Sequence, residues 1–245
     1  MRLANSEYNI SLELEENRVV LIVIEERMLR LKLVADLYQQ CLGETRGFIL
    51  SEDEQILKMN KVADILVNPF SVDCNNRKIL SKLYQEIQDC GNEDFYTEKQ
   101  KINSEILLLL DKIMLNVPYN ITTSLDFDFV EVCKLYNVQL EDSGDTLLER
   151  LMEYLKVMSQ LCSYKLFILL NISLYLNESE MKMLYECAAY LKVYLLLIEY
   201  TMPLQIFDEK GCIIDKDGCI IDIESHGLRH LPGVTFGENQ NEFEV

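Results

Sequence analysis

The chain has 245 residues, of which 49% are apolar and only four are proline, so an intrinsically disordered protein is excluded. Its formal charge is −18, from 41 acidic and 23 basic residues, whereas a protein that neutralises phosphates over a broad face is usually basic. Nucleic-acid binding is therefore compatible with this composition only if the basic residues are clustered.

Cysteine usage and hydropathy indicate the compartment. The eight cysteines form no Cys-x-x-Cys pair, and most lie in apolar periodic segments, as buried thiols do. The first residues lack the apolar stretch of a secretory signal, and the longest apolar run, residues 166–176, is too short to span a bilayer. We therefore expect a reduced, cytoplasmic protein that does not associate with membranes.

The N-terminal region predicts a buried strand followed by a helix. Residues 10–26 begin with alternating polarity and continue as an apolar run. This pattern favours a β-hairpin that turns at residues 15–18 and whose second strand, Val19 to Ile24, is buried on both faces. Helical periodicity then continues up to Gly43, with an apolar face formed by Met28, Leu31, Val34, Ala35 and Tyr38.

A phosphate-binding loop would lie at the turn between this strand and this helix. Its sequence is Glu25-Glu26-Arg27-Met28, which contains neither a glycine nor a Gly-Lys-Ser/Thr motif. A phosphate loop needs bare backbone amides and a lysine, and two glutamates repel a triphosphate. The sequence therefore argues against an ordinary NTPase site at this turn.

The middle of the chain predicts helices. Residues 51–54 have the pattern of a capping box that opens a helix ending at Leu66, and further helices are predicted from residue 75 or 76 and over residues 98–116. In the last of these helices, four apolar residues follow the 4-3-4 spacing that is typical of a helix packed lengthwise on another: Ile102, Ile106, Leu109 and Ile113. We therefore expect an all-helical segment over residues 56–144.

A β-α-β unit is predicted after this segment. A capping box at Thr146 opens a helix that ends near Cys162, and the apolar runs within 166–176 and 191–200 predict two buried strands around a helix capped by Asn177. Such a crossover is nearly always right-handed and gives parallel strands. Together with the N-terminal strand it predicts an α/β domain into which residues 56–144 are inserted.

The five-residue word GCIID occurs twice, at residues 211–215 and 218–222. An EF-hand loop is disfavoured because Ile213 stands where the first aspartate is required. A disulfide between Cys212 and Cys219 is disfavoured because a cytoplasmic protein is kept reduced. Asp217-Gly218 is a hairpin turn signal, so a terminal hairpin over residues 211–222 is favoured, and residues 225–245 are expected to be a loosely ordered tail.

The segment Ser-Leu-Asp-Phe-Asp-Phe-Val-Glu, residues 124–131, has two interpretations. If it is extended, Asp126 and Asp128 point to one face and, with Glu131 nearby, suit a hard cation such as Ca²⁺. If it starts a helix, Asp126 is the N-cap, and Asp128 and Glu131 lie in the first turn, where acid suits the helix dipole. The helix start is the commoner pattern, and both interpretations stay open.

Taken in order, four segments resemble the small adaptation protein of type II-A CRISPR systems, a family of rings that bind double-stranded DNA ends. They are ISLELEENRVVLIVIEERMLRLKLVADLYQQ (10–40), VADILVNPFSVDCNNRKILSKLYQEI (62–87), DTLLERLMEYLKVMSQLCSYKLFILLNISLYLNESEM (145–181) and LKVYLLLIE (191–199). The third is the most similar, with a buried strand that ends in Asn-x-x-x-Tyr-Leu. None is a catalytic signature, so the specificity of the resemblance comes from the order and spacing of these segments.

The resemblance implies an α/β head, similar to a P-loop ATPase without a working phosphate loop, and an inserted helical leg. Residues 1–55 and 145–224 correspond to the head, with the hairpin 211–222 covering a sheet edge, and residues 56–144 to the leg. The family implies a homotetrameric ring that threads DNA ends through a basic hole, needs calcium and has no catalytic activity of its own. Its further partners are the CRISPR integrase and effector proteins of the same system.

The site residues are carried over by position. The acidic calcium segment of the family matches Asp126 and Asp128, with Glu131 beside them, although the segment here is shorter and has fewer carboxylates. The basic hole is assigned to residues at the start of the first head helix and of the leg, for which a solvated helix face is the alternative: Arg27, Arg30, Lys58 and Lys61.

A ring reconciles DNA binding with the charge of −18, because basic residues can line the inside while acid faces outward. Such binding is to phosphates, without base readout, and weakens steeply with salt. The rival interpretation is an NTPase-like scaffold that binds protein partners through its leg helices and never contacts DNA, which the acidic charge favours.

Overall fold

The structure, a computed structural model, describes residues 1–123, 127–141, 144–201, 210–214 and 220–223. The chain divides into two compact units. Met1–Phe70 and Tyr164–Val245 form the first, called the sheet unit, and Ser71–Ser163 form the second, called the helical unit. The insertion therefore begins after residue 70 and ends after residue 163, whereas the sequence placed its limits at 56 and 144.

The described strands are β1 (Arg2–Asn5), β2 (Ile10–Glu13), β3 (Val20–Ile24), β4 (Ile49–Glu52), β5 (Gln55–Leu57), β6 (Ala63–Leu66), β7 (Leu166–Leu170), β8 (Tyr194–Glu199), β9 (Lys210–Ile214) and β10 (Ile220–Ile223). The described helices are α1 (Arg27–Cys41), α2 (Met59–Val62), α3 (Arg77–Asp94), α4 (Tyr96–Met114), α5 (Phe129–Leu135), α6 (Leu147–Gln160) and α7 (Glu178–Leu191). None of these helices combines the length and apolar character needed to cross a membrane.

A six-stranded sheet of order β10-β9-β3-β8-β7-β6 forms the centre of the sheet unit. All neighbouring strands in it are parallel except β9 and β10. Every residue of β3, β7 and β8 is buried, as expected of parallel strands covered on both faces, which explains their continuous aliphatic sequences. The predicted α/β fold class and the parallel β7-α7-β8 unit are confirmed.

One part of the core of the sheet unit lies on the face of this sheet where α1 and a second sheet pack. That second sheet has four strands in the order β2-β1-β4-β5. Val20, Ile22 and Ile24 alternate along β3 and join one buried cluster with Leu33 and Leu37 of α1. This alternation arises because successive side chains of a strand point to opposite faces.

The predicted hairpin over residues 10–24 is wrong. Its turn is present as an isolated bridge between Glu15 and Arg18, but β2 pairs with β1, and β3 pairs with β8 and β9. The two strands therefore belong to different sheets. Local sequence cannot show this, because the partners of β3 lie near the other end of the chain.

The helix predicted from residues 51–54 to Leu66 is also wrong. β4 and β5 form a hairpin with Glu52 opposite Gln55, and Asp53 and Glu54 at its tip have φ of 48° and 64°. Positive φ at both central residues is typical of the tight turn that joins hairpin strands. After the four-residue helix α2, strand β6 joins the edge of the central sheet beside β7.

The apolar face predicted for α1 is corrected by burial. Leu33 and Leu37, one turn apart, are the buried residues of the helix. Met28 and Leu31 are 65% and 61% exposed. The helix is apolar around most of its circumference, so periodicity alone does not select the face that meets the sheet.

The repeated GCIID word forms the predicted hairpin where it is described. β9 and β10 are antiparallel, with Ile214 opposite Ile220, and β9 adds in parallel to the edge of β3. The predicted turn at Asp217-Gly218 and the tail, residues 225–245, lie outside the described residues. The hairpin thus extends the central sheet beyond β3.

Side-chain caps start the helices of the helical unit. Asn76 accepts hydrogen bonds from the amides of Lys78 and Ile79 at the start of α3, and Thr146 forms a capping box with Glu149 at the start of α6. The helices predicted in this part of the chain are therefore confirmed by α3, α4 and α6.

A segment between α5 and α6 is tied back to α3. Asn75 exchanges two hydrogen bonds with the backbone of Leu140, of 3.0 and 2.9 Å, and the Tyr84 hydroxyl donates to the carbonyl of Val138 at 2.9 Å. These bonds replace water at backbone groups that no helix satisfies.

Close approach of α3 and α5 depends on Gly91. This glycine is buried in α3, and a Cβ added to it would lie 2.5 Å from the ring of Phe129 in α5. A helical glycine ordinarily costs about 1 kcal/mol relative to alanine. Its presence in α3 is explained by the ring that occupies the space of a side chain.

We expect Gly91→Ala to lower the free energy of unfolding by about 1–3 kcal/mol, because overpacking outweighs the gain in helix propensity. Urea denaturation measures this change. In the background of Phe129→Ala, which removes the ring, the same substitution should be neutral or stabilising. Equal destabilisation in both backgrounds would contradict the role assigned to the ring.

Candidate functional site

The turn between β3 and α1 lies at the carboxyl edge of the central sheet, where parallel α/β proteins commonly bind ligands. The Glu26 carboxylate occupies the start of α1, accepting hydrogen bonds from the amides of Met28, at 2.9 Å, and Leu29. These bonds, led by that of Met28, hold the pKa of Glu26 below its usual value. The amides that could receive a phosphate are thus occupied by the chain's own carboxylate.

Two arginines follow this turn and differ in their contacts. The Arg30 guanidinium donates to the carbonyl of Ile24 at 2.7 Å and lies 5.6 Å from the ring centroid of Tyr200. It therefore links the ends of β3 and β8. Arg27 is exposed, and its side chain has no hydrogen bond or ion pair within the described part of the chain.

A cleft of about 260 Å³ opens beneath these arginines. Its lining is mostly aliphatic, and it also includes Asn171, which follows β7 with φ of 49°. The amide oxygen of Asn171 is buried and accepts no hydrogen bond within the described residues. The lining comprises Arg27, Arg30, Leu31, Val34, Leu170, Asn171 and Ile198.

Glu199 ends β8 at the same edge and is 1% exposed. Its carboxylate accepts hydrogen bonds from the amide of Ser173, at 3.1 Å, and from the Ser173 hydroxyl, at 2.7 Å. Burial raises the pKa of this carboxyl. Glu199 therefore holds the 3₁₀ turn that follows β7.

The four predicted DNA-binding residues do not form one cluster. Arg27 and Arg30 begin α1 at the carboxyl edge of the sheet, whereas Lys58 and Lys61 are exposed at α2, directly before β6, at the amino edge. Since β3 and β6 run in the same direction, the two pairs are separated by the length of the strands. Their role in DNA binding remains a prediction.

The predicted calcium ligands are only partly described. Asp126 lies outside the described residues. Asp128 is the N-cap of α5, with its carboxylate 2.7 Å from the amide of Val130, and Glu131 in the first turn pairs with Lys134 at 2.6 Å. The helix start is therefore present, with Asp128 as its cap in place of Asp126.

Within the described residues, no three histidine, cysteine, aspartate or glutamate side chains form a group that could hold a metal ion. Asp128 and Glu131 each keep carboxylate oxygens at the surface, which is the chemistry that Ca²⁺ prefers. The calcium site thus stays a prediction that requires Asp126 or a further donor.

Sequence reasoning missed one basic cluster, at the start of α3, where Arg77, Lys78 and Lys82 are exposed. The signal was available as three basic residues within six, followed by no acid until Glu86.

The apolar face of α4 was identified from the sequence, but its packing differs from expectation. No residue of α4 is buried. Its predicted contact residues are all substantially exposed within the chain: Ile102 46%, Ile106 43%, Leu109 58% and Ile113 52%. The stripe is therefore not covered by the described residues.

Comparison with known proteins identifies relatives. The family model of the CRISPR-associated protein Csn2 (Cas_Csn2) matches residues 40–218. The CRISPR-associated protein Csn2 of Streptococcus agalactiae is 24% identical over 211 residues, covering 81% of this chain and 91% of that protein. The crystal structure of Stu0660 of Streptococcus thermophilus is similar in fold, with a TM-score of 0.61 at 15% identity, and covers 91% of this chain and 76% of that chain.

We expect Glu26→Gln to lower the melting temperature at neutral pH, because the charged cap of α1 is lost. Since the pKa of Glu26 is lowered in the folded chain, its contribution is present above its unfolded pKa and is lost as pH falls through the folded pKa. The difference from the wild type should therefore narrow below the usual pKa of 4.5. Calorimetry between pH 3 and pH 7, about the range that spans this transition, measures it.

Glu25→Gln is the matched control, since it removes the same charge from the neighbouring exposed position. Its effect on the melting temperature should be smaller. If the two variants behaved alike at every pH, the capping role of Glu26 would be contradicted.

Proposed function

Since the chain belongs to the Csn2 family of CRISPR-associated proteins, which serves adaptation in type II-A systems, we propose that it is a homotetrameric ring that binds the ends of double-stranded DNA. In this role it is a cytoplasmic, non-enzymatic protein that supports spacer acquisition. The observation that carries the proposal is the family match over residues 40–218, which span both structural units.

The exposed stripe of α4 supports self-association. Its four residues recur with the spacing that packs one helix lengthwise against another. Completing the burial of each half-exposed side chain is worth roughly 1 kcal/mol, so a partner helix gains several kcal/mol along this stripe. Contiguous exposed apolar residues of this kind mark interaction surfaces in soluble proteins.

Ring formation also makes DNA binding compatible with the acidic net charge of the chain. At a net charge of −18, an isolated copy repels DNA over most of its surface. A closed ring places a minority of basic residues around one passage, and low-dielectric walls focus their potential. Arg27, Lys58 and Lys61 are exposed and available for this role.

Calcium is the proposed cofactor, with Asp126, Asp128 and Glu131 as ligands. Three carboxylates on a short segment repel one another, and a divalent cation cancels that repulsion. The same neutralisation favours assembly of an acidic chain into a tetramer. We further propose that the ring works with the integrase and effector proteins of the same CRISPR system.

Two features of the sheet unit support a non-enzymatic role. The start of α1 is occupied by Glu26, so no phosphate is received there as in a P-loop NTPase. Arg30 donates a hydrogen bond to the carbonyl of Ile24, so part of its guanidinium serves the backbone of β3.

The alternative function is a scaffold that binds protein partners through its helices and never contacts DNA. The acidic net charge and the α4 stripe are both compatible with it. The two functions differ in what occupies the stripe, a second copy or another protein, and in whether DNA binds at all.

We expect the double substitution Ile106→Asp and Leu109→Asp to lower the oligomeric mass measured by light scattering in calcium, because charge in an apolar seam prevents helix pairing. Leu108→Asp with Leu115→Asp is the matched control, since both residues are exposed, Leu108 on another side of α4 from the stripe and Leu115 at its C-cap. The control should keep the mass of the wild type. An unchanged mass in the first variant would exclude the stripe as the subunit interface.

We expect gel-shift assays to show binding to linear double-stranded DNA in calcium and no binding to the same DNA as a closed circle, because a ring enters DNA at a free end. A chelator should abolish the shift. Equal binding of linear and circular DNA would remove threading from the proposal, and no binding in any lane would favour the scaffold function.

A further inference from the structure

The first two turns of α3 carry three exposed basic residues, Arg77, Lys78 and Lys82, which we name the α3 cation cluster. Lys78 and Lys82 are one turn apart and share a helix face, and Arg77 lies at the first position of the helix. The nearest acidic residues along the chain are Asp73, four residues before Arg77, and Glu86, a full turn beyond Lys82. The cluster is therefore a local excess of positive charge on a chain of net charge −18.

Helix physics does not favour cations at this place. The N-terminus of a helix carries partial positive charge, so acidic residues are stabilising there and basic ones are not. α4, α5, α6 and α7 all have an acidic residue in the first turn, whereas α3 has none. A local choice that opposes helix stability indicates that these residues serve another purpose.

α1 also begins with basic residues, but an acidic N-cap precedes them. There the positive charge is compensated by the carboxylate of Glu26 at the N-cap, and Arg30 is bonded to Ile24. The N-cap of α3 is the neutral Asn76. The side chains of Arg77 and Lys82 make no hydrogen bond or ion pair within the described residues.

Two lysines of the cluster act on one nearby thiol, that of Cys162. Cys162 follows α6 and is buried, which raises its pKa, and the charged groups that oppose this rise are Lys78 and Lys82. Two lysines from successive turns of α3 therefore act on the same point at the end of α6. The cations form one patch and are not scattered over the helix.

We infer that the α3 cation cluster binds the phosphate backbone of double-stranded DNA, an inference that rests on the proposed function. Arginine and lysine side chains supply most backbone contacts in protein–DNA complexes, and these contacts carry no base information. The cluster offers up to three such contacts in each copy. In a ring, every copy presents the same patch, so modest single contacts add.

The competing role is structural. Cations near the C-terminus of a helix are stabilising, and Lys78 and Lys82 act at the end of α6. This role predicts a loss of folding stability on substitution and no effect on DNA. The inferred role predicts a loss of DNA affinity that depends on salt.

The test measures the affinity of the full chain for a blunt-ended DNA duplex by fluorescence anisotropy. The salt concentration is varied over about 50–200 mM. Arg77→Gln with Lys82→Gln removes the two cations without internal partners. The logarithm of affinity should then fall less steeply with the logarithm of salt, by about 0.9 for each phosphate that the variant no longer neutralises. Lys156→Gln with Lys182→Gln is the control for charge, since these lysines pair with Glu153 and Glu186.

The charge-preserving pair Arg77→Lys with Lys82→Arg separates folding from binding and should keep the slope of the wild type. A wild-type slope in the glutamine variant would overturn the inference while leaving the proposed function intact. A lower melting temperature with unchanged affinity would establish the structural role instead. Absence of DNA binding by the wild type itself would overturn the proposed function.

Discussion

The pairing of β3 with β8 on one side and β9 on the other determines the rest of the architecture. β3 ends at residue 24, while its partners begin at residues 194 and 210. A parallel strand without these neighbours would leave buried backbone amides and carbonyls unpaired, at a cost of several kcal/mol. The chain between β3 and its partners must therefore leave the sheet and return to it. The helical unit is inserted in this stretch, and segments near both ends of the chain complete the sheet.

Parallel pairing also collects the carboxyl ends of β3, β7 and β8 at one edge. Glu199 lies there with Glu26 and Arg30, although it is distant from them in sequence, and each of the three is hydrogen-bonded within the protein. In a nucleotide-binding protein of similar topology, the groups at this edge are directed at a ligand. Here they cap a helix, bind a strand carbonyl and hold a turn, so the edge is a closed structural feature with a small aliphatic cleft beside it.

The helical unit shows the opposite balance. Within the described residues, α4 leaves an apolar stripe exposed, and α3 begins with basic residues and has no acidic residue in its first turn. Stability alone disfavours both features. Both features lie in the helical unit, whereas Glu26, Arg30 and Glu199 at the sheet edge are hydrogen-bonded within the protein.

The sequence by itself determined the α/β class, the parallel β7-α7-β8 unit, the capped helices and the closing hairpin, because these depend on aliphatic runs, periodicity and short-range capping. It gave β2 the wrong partner, since strand pairing depends on hydrogen bonds between distant segments. It predicted a helix over the segment that contains β5 and β6 and the end of β4, and Asp53-Glu54 is not a common turn sequence. It named Arg27, Arg30, Lys58 and Lys61 as one basic set. Only the tertiary structure decided that the two arginines and the two lysines lie at opposite edges of the sheet and that Arg30 donates to the carbonyl of Ile24. The positions of exposed charges follow from strand direction and packing, and they leave no periodic pattern in the sequence.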